Sequence, residues 1–210
     1  MNRAKRLNVL NNNVHSAHCR ACKERVRELL AATYGDCRAN HQFPWPARPE
    51  DYANTIIGES LEQIRRALGD WRGHRDFIKS ALMPPCDFYS SDPPFILEFD
   101  ENQHFTRARL ITLSRYPATI PLGFSIPRWQ ELCRAIDAQD DQPFDRDERR
   151  AWYDTLRDLV PNVRGFEPTI RLYAAQYPWC SLNAGSVEGP EQFRGLVQSL
   201  PPCPTLRKDK

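Results

Sequence analysis

No run of apolar residues in this 210-residue chain approaches the ~18 that a membrane-spanning helix needs. Met1 to Leu10 is basic and lacks the apolar stretch of a signal peptide, so a cytoplasmic setting is expected. There is no internal repeat, no phosphate-cradling glycine loop and no Ser/His/Asp motif. Those absences set aside solenoids, P-loop nucleotide hydrolysis and triad chemistry. Lysine is scarce: it stands only at positions 5, 23, 79, 208 and 210, and arginine supplies the rest of the 29 basic side chains. Arginine forks suit phosphate, though a GC-rich coding sequence gives the same bias. A net charge of +2 sets aside a globally basic nucleic-acid binder.

What is present is a soluble composition, 40 % apolar and 27 % charged, in a length that buries one good core plus a small module. Seven cysteines are an odd number, and without a secretion signal they point to reduced thiols or a metal rather than a disulfide framework. Cys19-x₂-Cys22-x₁₄-Cys37-x₃-His41 has zinc-ligand spacing, and His15 and His18 compete for the histidine role. Such a site would be structural, because closed S/N coordination leaves no open position for chemistry. Thiols that merely begin a helix are the simpler alternative.

Three segments are expected: an arm and zinc module over 1–48, an α/β domain over 49–182 and a tail over 183–210. Lys23 to Tyr34 has helical spacing and Gly35 stops it. A proline-rich connector, 43–49, leads to a second helix over 50–68 with Ile56, Leu61, Ile64 and Leu68 inward and Gly69 as its stop. His74 to Leu82 reads as a first strand. Thr106 is a good N-cap for a helix to Arg115, and another helix spans Pro127 to Ala138. Over 145–159 Trp152, Leu156 and Leu159 face inward and charges pair outside at i,i+4. Thr169 to Tyr173 reads as a strand, and Trp179 to Leu182 as an apolar anchor.

The stretch from Cys86 to Phe105 organises the rest. It reads as a short strand, a Ser/Asp/Pro turn and a second, apolar strand. Alternation puts Phe95, Leu97 and Phe99 on one face, and Ile96, Glu98 and Asp100 on the other. Asp87 lies alongside on the first strand. Converging carboxylates are costly without a cation and make a hard-oxygen site for Mg²⁺ or Mn²⁺. Carboxylates facing solvent on a half-exposed sheet would read the same way.

Asp87-Phe88-Tyr89, then Ile96-Leu97-Glu98-Phe99-Asp100, then Gln103-His104, resembles the core of PD-(D/E)XK nucleases, nearest to the very-short-patch repair endonuclease branch. The resemblance covers about twenty residues and implies a restriction-endonuclease-like fold, a small mixed sheet flanked by helices. It assigns catalytic metal to Asp87 and Glu98, with the Phe99 carbonyl assisting. The usual lysine of the third motif position is Asp100 here, which leaves open which residue activates water. Asp100 would serve a second ion, and His104, after Gln103, would protonate the leaving group or orient water. Glu59 is the candidate from the preceding helix, with Glu62 as the alternative. Arg65, Arg66, Lys79, Arg107, Arg109 and Arg171 are candidates for phosphate contact; Arg171 in a structural salt bridge is the alternative for that residue.

The expected function is metal-dependent hydrolysis of DNA, by nicking or double-strand cleavage, in defence or repair. The partner would be DNA, with no membrane, and a dimer or larger complex is left open. The rivals are a DNA-binding protein that keeps the fold without cutting and a zinc-stabilised interaction module.

Overall fold

The computed structural model describes residues 19–199. The arm before Cys19, with His15 and His18, and the tail from Leu200 lie outside them.

At the centre is a four-stranded mixed sheet in the order β1 (Cys37–His41), β2 (Cys86–Ser91), β3 (Pro94–Asp100) and β4 (Ile170–Tyr173). The first two pairings are antiparallel and β3 pairs with β4 in parallel. The β2–β3 hairpin is where turn residues and alternation put it. Phe95, Leu97 and Phe99 pack with Ile170 and Leu172 on one face. That face is covered by α1 (Arg20–Tyr34) through Val26, Leu29 and Leu30, and by α6 (Glu188–Gln198) through Phe193 and Val197. Ile96 belongs to the second core, on the other face, built with α2 (Gly58–Arg72), α3 (Arg107–Leu113), α4 (Ile126–Ile136) and α5 (Arg146–Val163).

One helix start is the expected cap, and a second uses the same chemistry at a residue the sequence reading did not name. The Thr106 hydroxyl accepts from the Arg109 N–H and opens α3, and Ser125 accepts from the Arg128 N–H and opens α4. Helix α2 begins eight residues later than expected, after a 3₁₀ turn at Pro49–Tyr52, and runs through Gly69 to stop at Gly73. Gly73 has φ 81°, which glycine tolerates, whereas Gly69 is an interior helical residue packed against Arg75. Ile56, expected inward, precedes α2 and is exposed.

Residues 74–82 do not form the expected first strand. The N–H groups of Lys79 and Ser80 both donate to the Tyr153 hydroxyl, and only Leu82 makes a bridge, to Pro46 in the proline-rich connector. The edge strand is β1 instead, so part of the expected N-terminal module is a strand of the common sheet. Residues expected as tail supply α6.

The charges of α5 also depart from expectation. Asp147, Glu148, Asp154 and Asp158 are buried together with Trp152, Leu156 and Leu159. Arg171 answers from β4, donating from Nε to Asp158 Oδ1 at 2.7 Å and from Nη1 to Asp100 Oδ1 of β3 at 2.6 Å. Its Nη2 donates to the Asp154 carbonyl at 3.2 Å and lies 3.4 Å from the Asp154 carboxylate. Arg109 adds a second guanidinium, 2.6 Å from Asp158 Oδ2. Removing one partner of a buried pair leaves an uncompensated charge, so Arg171→Met should lose about 3–5 kcal/mol in urea denaturation. Arg65→Ala or Arg66→Ala, which breaks only a helix-surface pair to Glu62, should stay within about 1 kcal/mol.

Candidate functional site

The hairpin ladder holds at Phe88↔Leu97, Tyr89↔Ile96, Ser90↔Phe95 and Ser91↔Pro94, then opens one step before Phe88. There, side chains replace the ladder. The Asp87 N–H donates to Glu98 Oε1 at 3.1 Å, and the Phe99 N–H donates to Asp87 Oδ2 at 2.9 Å. The two carboxylates therefore sit beside each other without a regular strand pairing between them. Lys23, from the first turns of α1, donates to Asp87 Oδ1 at 2.6 Å.

Asp87 and Glu98 line a cavity of about 280 Å³ together with Pro84, His104, Tyr153 and four arginines of α5: Arg146, Arg149, Arg150 and Arg157. Arg146, Arg149, Arg150, Tyr153 and Arg157 recur at helical spacing, so one stripe of α5 faces the cavity. A second stripe, Asp147, Ala151, Asp154 and Asp158, faces the core. Arg150 is held by the Gln103 carbonyl at 2.8 Å and by Asp140 at 2.9 Å. Arg157 donates to the Pro85 carbonyl and to Asp154. Its Nε is buried without a hydrogen bond, with Glu98 Oε1 at 3.4 Å as an ion-pair partner.

Burial pushes the Glu98 carboxyl up to about 7, with Asp87 adding repulsion and Arg157 and Arg171 opposing it. His104 Nδ1 lies 2.9 Å from Asp154 Oδ2. Burial by itself would lower the imidazole's pKa, but the Asp154 and Asp100 carboxylates outweigh it and raise it. With Nδ1 engaged by Asp154, Nε2 is the ring atom left for proton transfer.

Not every expected residue belongs here. Asp100 is on the expected strand face, but it is 1 % exposed, accepts from Trp129 Nε1 at 2.7 Å and pairs with Arg171. It is a core acceptor and does not line the cavity. Arg109 and Arg171 are equally enclosed and cannot reach a phosphate. Glu59 is exposed at the start of α2, accepting from Gln63, and Glu62 is taken by Arg65 and Arg66. Gln103 donates to Glu101 and contributes through its carbonyl. Lys79 pairs with Asp76 and Asp145, and Arg107 lines a separate cavity of about 550 Å³ beside Trp71 and Arg134. The residues missed were Lys23, Tyr153 and the arginine stripe. The stripe was visible as an i, i+3, i+4, i+11 recurrence; Lys23 carried no local signal.

A second cluster lies at the start of α1. The sulfurs of Cys19, Cys22 and Cys180 are all within 4.8 Å of one another, a group that could hold a metal such as zinc. Cys37 and His41, the expected partners, are on β1 and outside it: His41 stacks on Tyr89 and meets Phe43 edge-on. Cys37 packs against the α1-side core. Cys180 replaces them because the 3₁₀ helix Trp179–Ser181 packs against α1.

Comparison with known family models, curated proteins and solved structures gave no match to this chain. No helix among the described residues is long and apolar enough to cross a membrane.

Ionising a carboxyl whose folded pKa is raised costs stability. The stability that protonated Glu98 contributes is complete below the unfolded value of 4.5 and is lost as pH rises through about 7. In metal-free protein, wild type should therefore lose Tm relative to Glu98→Gln between those pH values. A constant difference between the two across that window would show that Glu98 ionises freely.

Proposed function

We propose that this chain is a divalent-metal-dependent DNA endonuclease with a restriction-endonuclease-like fold. The observation that carries this reading is the pairing of Asp87 and Glu98 at one cavity, on an opened hairpin end, beneath a stripe of four arginines. The mixed sheet with helices on both faces is consistent with the fold named, and the carboxylate strand is the one the resemblance singled out.

The donor set fits a hard cation. Two carboxylates of adjacent strands line the same space, Glu98 is held partly protonated by burial, and a lysine already sits on Asp87. The Phe99 carbonyl is the third ligand of this reading. Mg²⁺ or Mn²⁺ bound there would orient a water and offset charge on the leaving oxygen. The chain's own groups do the rest. Arg149, which has no side-chain partner among the described residues, and Arg146, Arg150 and Arg157 grip the phosphate. His104, whose protonated form the Asp154 and Asp100 carboxylates favour, would give its Nε2 proton to the leaving oxygen. Lys23 brings a lysine amine to Asp87, in a site where the resemblance leaves the usual lysine position without one. The structural cofactor of this reading is Zn²⁺ at the thiols.

One observation favours the rival in which the protein binds DNA without cutting: Lys23 already supplies the positive charge that a metal would bring to Asp87. Supercoiled plasmid separates the two. The endonuclease should nick it only with Mg²⁺ or Mn²⁺. Asp87→Asn and Glu98→Gln should each cut more slowly by on the order of 100-fold. Asp100→Asn should act instead through stability, since Asp100 belongs to the buried network. DNA affinity without metal should be retained in Asp87→Asn, because removing a negative charge lessens repulsion of phosphate. Equal cutting by wild type, Asp87→Asn and Glu98→Gln would exclude this cavity as the active site.

A further inference from the structure

We infer that zinc bound by Cys19, Cys22 and Cys180 is the anchor that sets Lys23 on Asp87, so that occupancy of the thiol site governs the geometry of the carboxylate pair. The zinc site stands on its own observations; its meaning for catalysis rests on the endonuclease reading.

Ligand sulfurs on one tetrahedral zinc lie ~3.8 Å apart, given Zn–S bonds of ~2.3 Å. The three sulfurs here are within 4.8 Å of one another, so small side-chain rotations bring them onto one ion. The backbone is arranged for this. Cys19 and Cys22 face each other across a turn closed by the Cys22 N–H and the Cys19 carbonyl at 3.0 Å, and the Cys180 N–H donates to Cys22 Sγ at 3.3 Å.

The helix start also calls for negative charge. Cys19 is the N-cap of α1 and makes no side-chain cap bond, and the first turn has no acidic residue while Arg20 and Lys23 crowd it. Cations at a helix N-terminus oppose the macrodipole. Three thiolates on one Zn²⁺ carry a net negative charge and would place it at that end. Cys180 is itself fixed, since it follows Trp179, which is fully buried and donates to the Tyr173 carbonyl at the end of β4.

Lys23 is the residue after Cys22. The metal would thus tie the first turn of α1 to the segment after β4, and the next side chain along reaches Asp87 on β2. Asp87 is where the ladder to β3 has opened, so its carboxylate depends on Lys23 and on the Phe99 N–H for its place. Lys23 is in this sense a positioning residue.

The test uses the untagged full-length chain and needs no DNA. Elemental analysis should find about one zinc per chain in wild type and in Cys37→Ser, and none in Cys180→Ser. Cys180→His, which restores a zinc ligand, should recover the metal. Hydrogen exchange then reads the coupling. The Phe99 amide, bound to Asp87 Oδ2, should exchange about tenfold faster or more when wild type is stripped with a chelator, and recover with added zinc. Lys23→Met should speed the same amide while keeping its zinc. Zinc retained in Cys180→Ser, or lost from Cys37→Ser, overturns the site. Zinc loss with unchanged Phe99 exchange overturns the anchoring role. Failure of wild type to cut DNA would defeat the endonuclease reading and leave these outcomes untouched.

Discussion

One guanidinium holds the interior together. Arg171 is fully buried on β4 and meets Asp100 of β3 and Asp158 and Asp154 of α5. Through Asp100 it reaches Trp129 on α4, and through Asp158 it reaches Arg109 on α3. Three helices are thus referred to one strand pair by directional bonds. Desolvating such groups is expensive, and apolar substitutes of the same shape can be as stable. What an apolar core would not supply is the fixed azimuth of α5 about its own axis. That azimuth decides which of its side chains meet the sheet.

The consequence for the cavity is direct. With Asp154 and Asp158 turned to Arg171, the stripe beginning at Arg146 must lie over Asp87 and Glu98. Asp154 contributes to both sides, since it also holds Arg157 and His104. Burial opposes its ionisation, but His104 and Arg171 outweigh that and hold its carboxyl well below the usual range. It is therefore a steady negative partner for His104. Glu98 has no such partner: Arg171 is turned to its neighbours, and Arg157 approaches only to 3.4 Å. Adjacent strand-face carboxylates consequently differ: Asp100 accepts from Trp129 and Arg171 in the core, whereas Glu98, among the described residues, accepts only the Asp87 N–H and lines the cavity.

Much of this was legible in the sequence because it was local. The hairpin announced itself by a period-two apolar strand after a Ser/Asp/Pro turn, and Thr106 signalled its helix through cap chemistry. The alternation that set Glu98 and Asp100 on one face was correct. What failed was non-local. Strand β1 is a polar edge strand, Cys-Arg-Ala-Asn-His, with its three central residues exposed, so no hydrophobic pattern marked it. The buried charges of α5 looked like surface pairs because i,i+4 spacing is satisfied equally by a solvated face and by a face that meets an arginine from another strand. Cys180 lies 158 residues from Cys22, beyond any spacing rule. A ligand set completed across the whole chain leaves only half its signature at one end, and Cys37 filled the gap by proximity alone.

The two carboxylates are not equally fixed, and that asymmetry bears on how a cation could enter. Glu98 stands on β3 at a position still paired with β4, opposite Arg171. Asp87 stands where β2 has parted from β3, and its cationic partner is Lys23, whose side chain is 43 % exposed. A pair that open to solvent contributes about 0–1 kcal/mol, because water and salt screen it and the lysine chain loses rotamer freedom. So weak a contact is enough to orient a carboxylate and too weak to keep a divalent ion away. Two carboxylates facing one ion gain more than a single screened pair, especially when one of them is otherwise held near neutrality by burial. On the endonuclease reading, Lys23 would orient Asp87 before a divalent ion binds and turn toward solvent once it does.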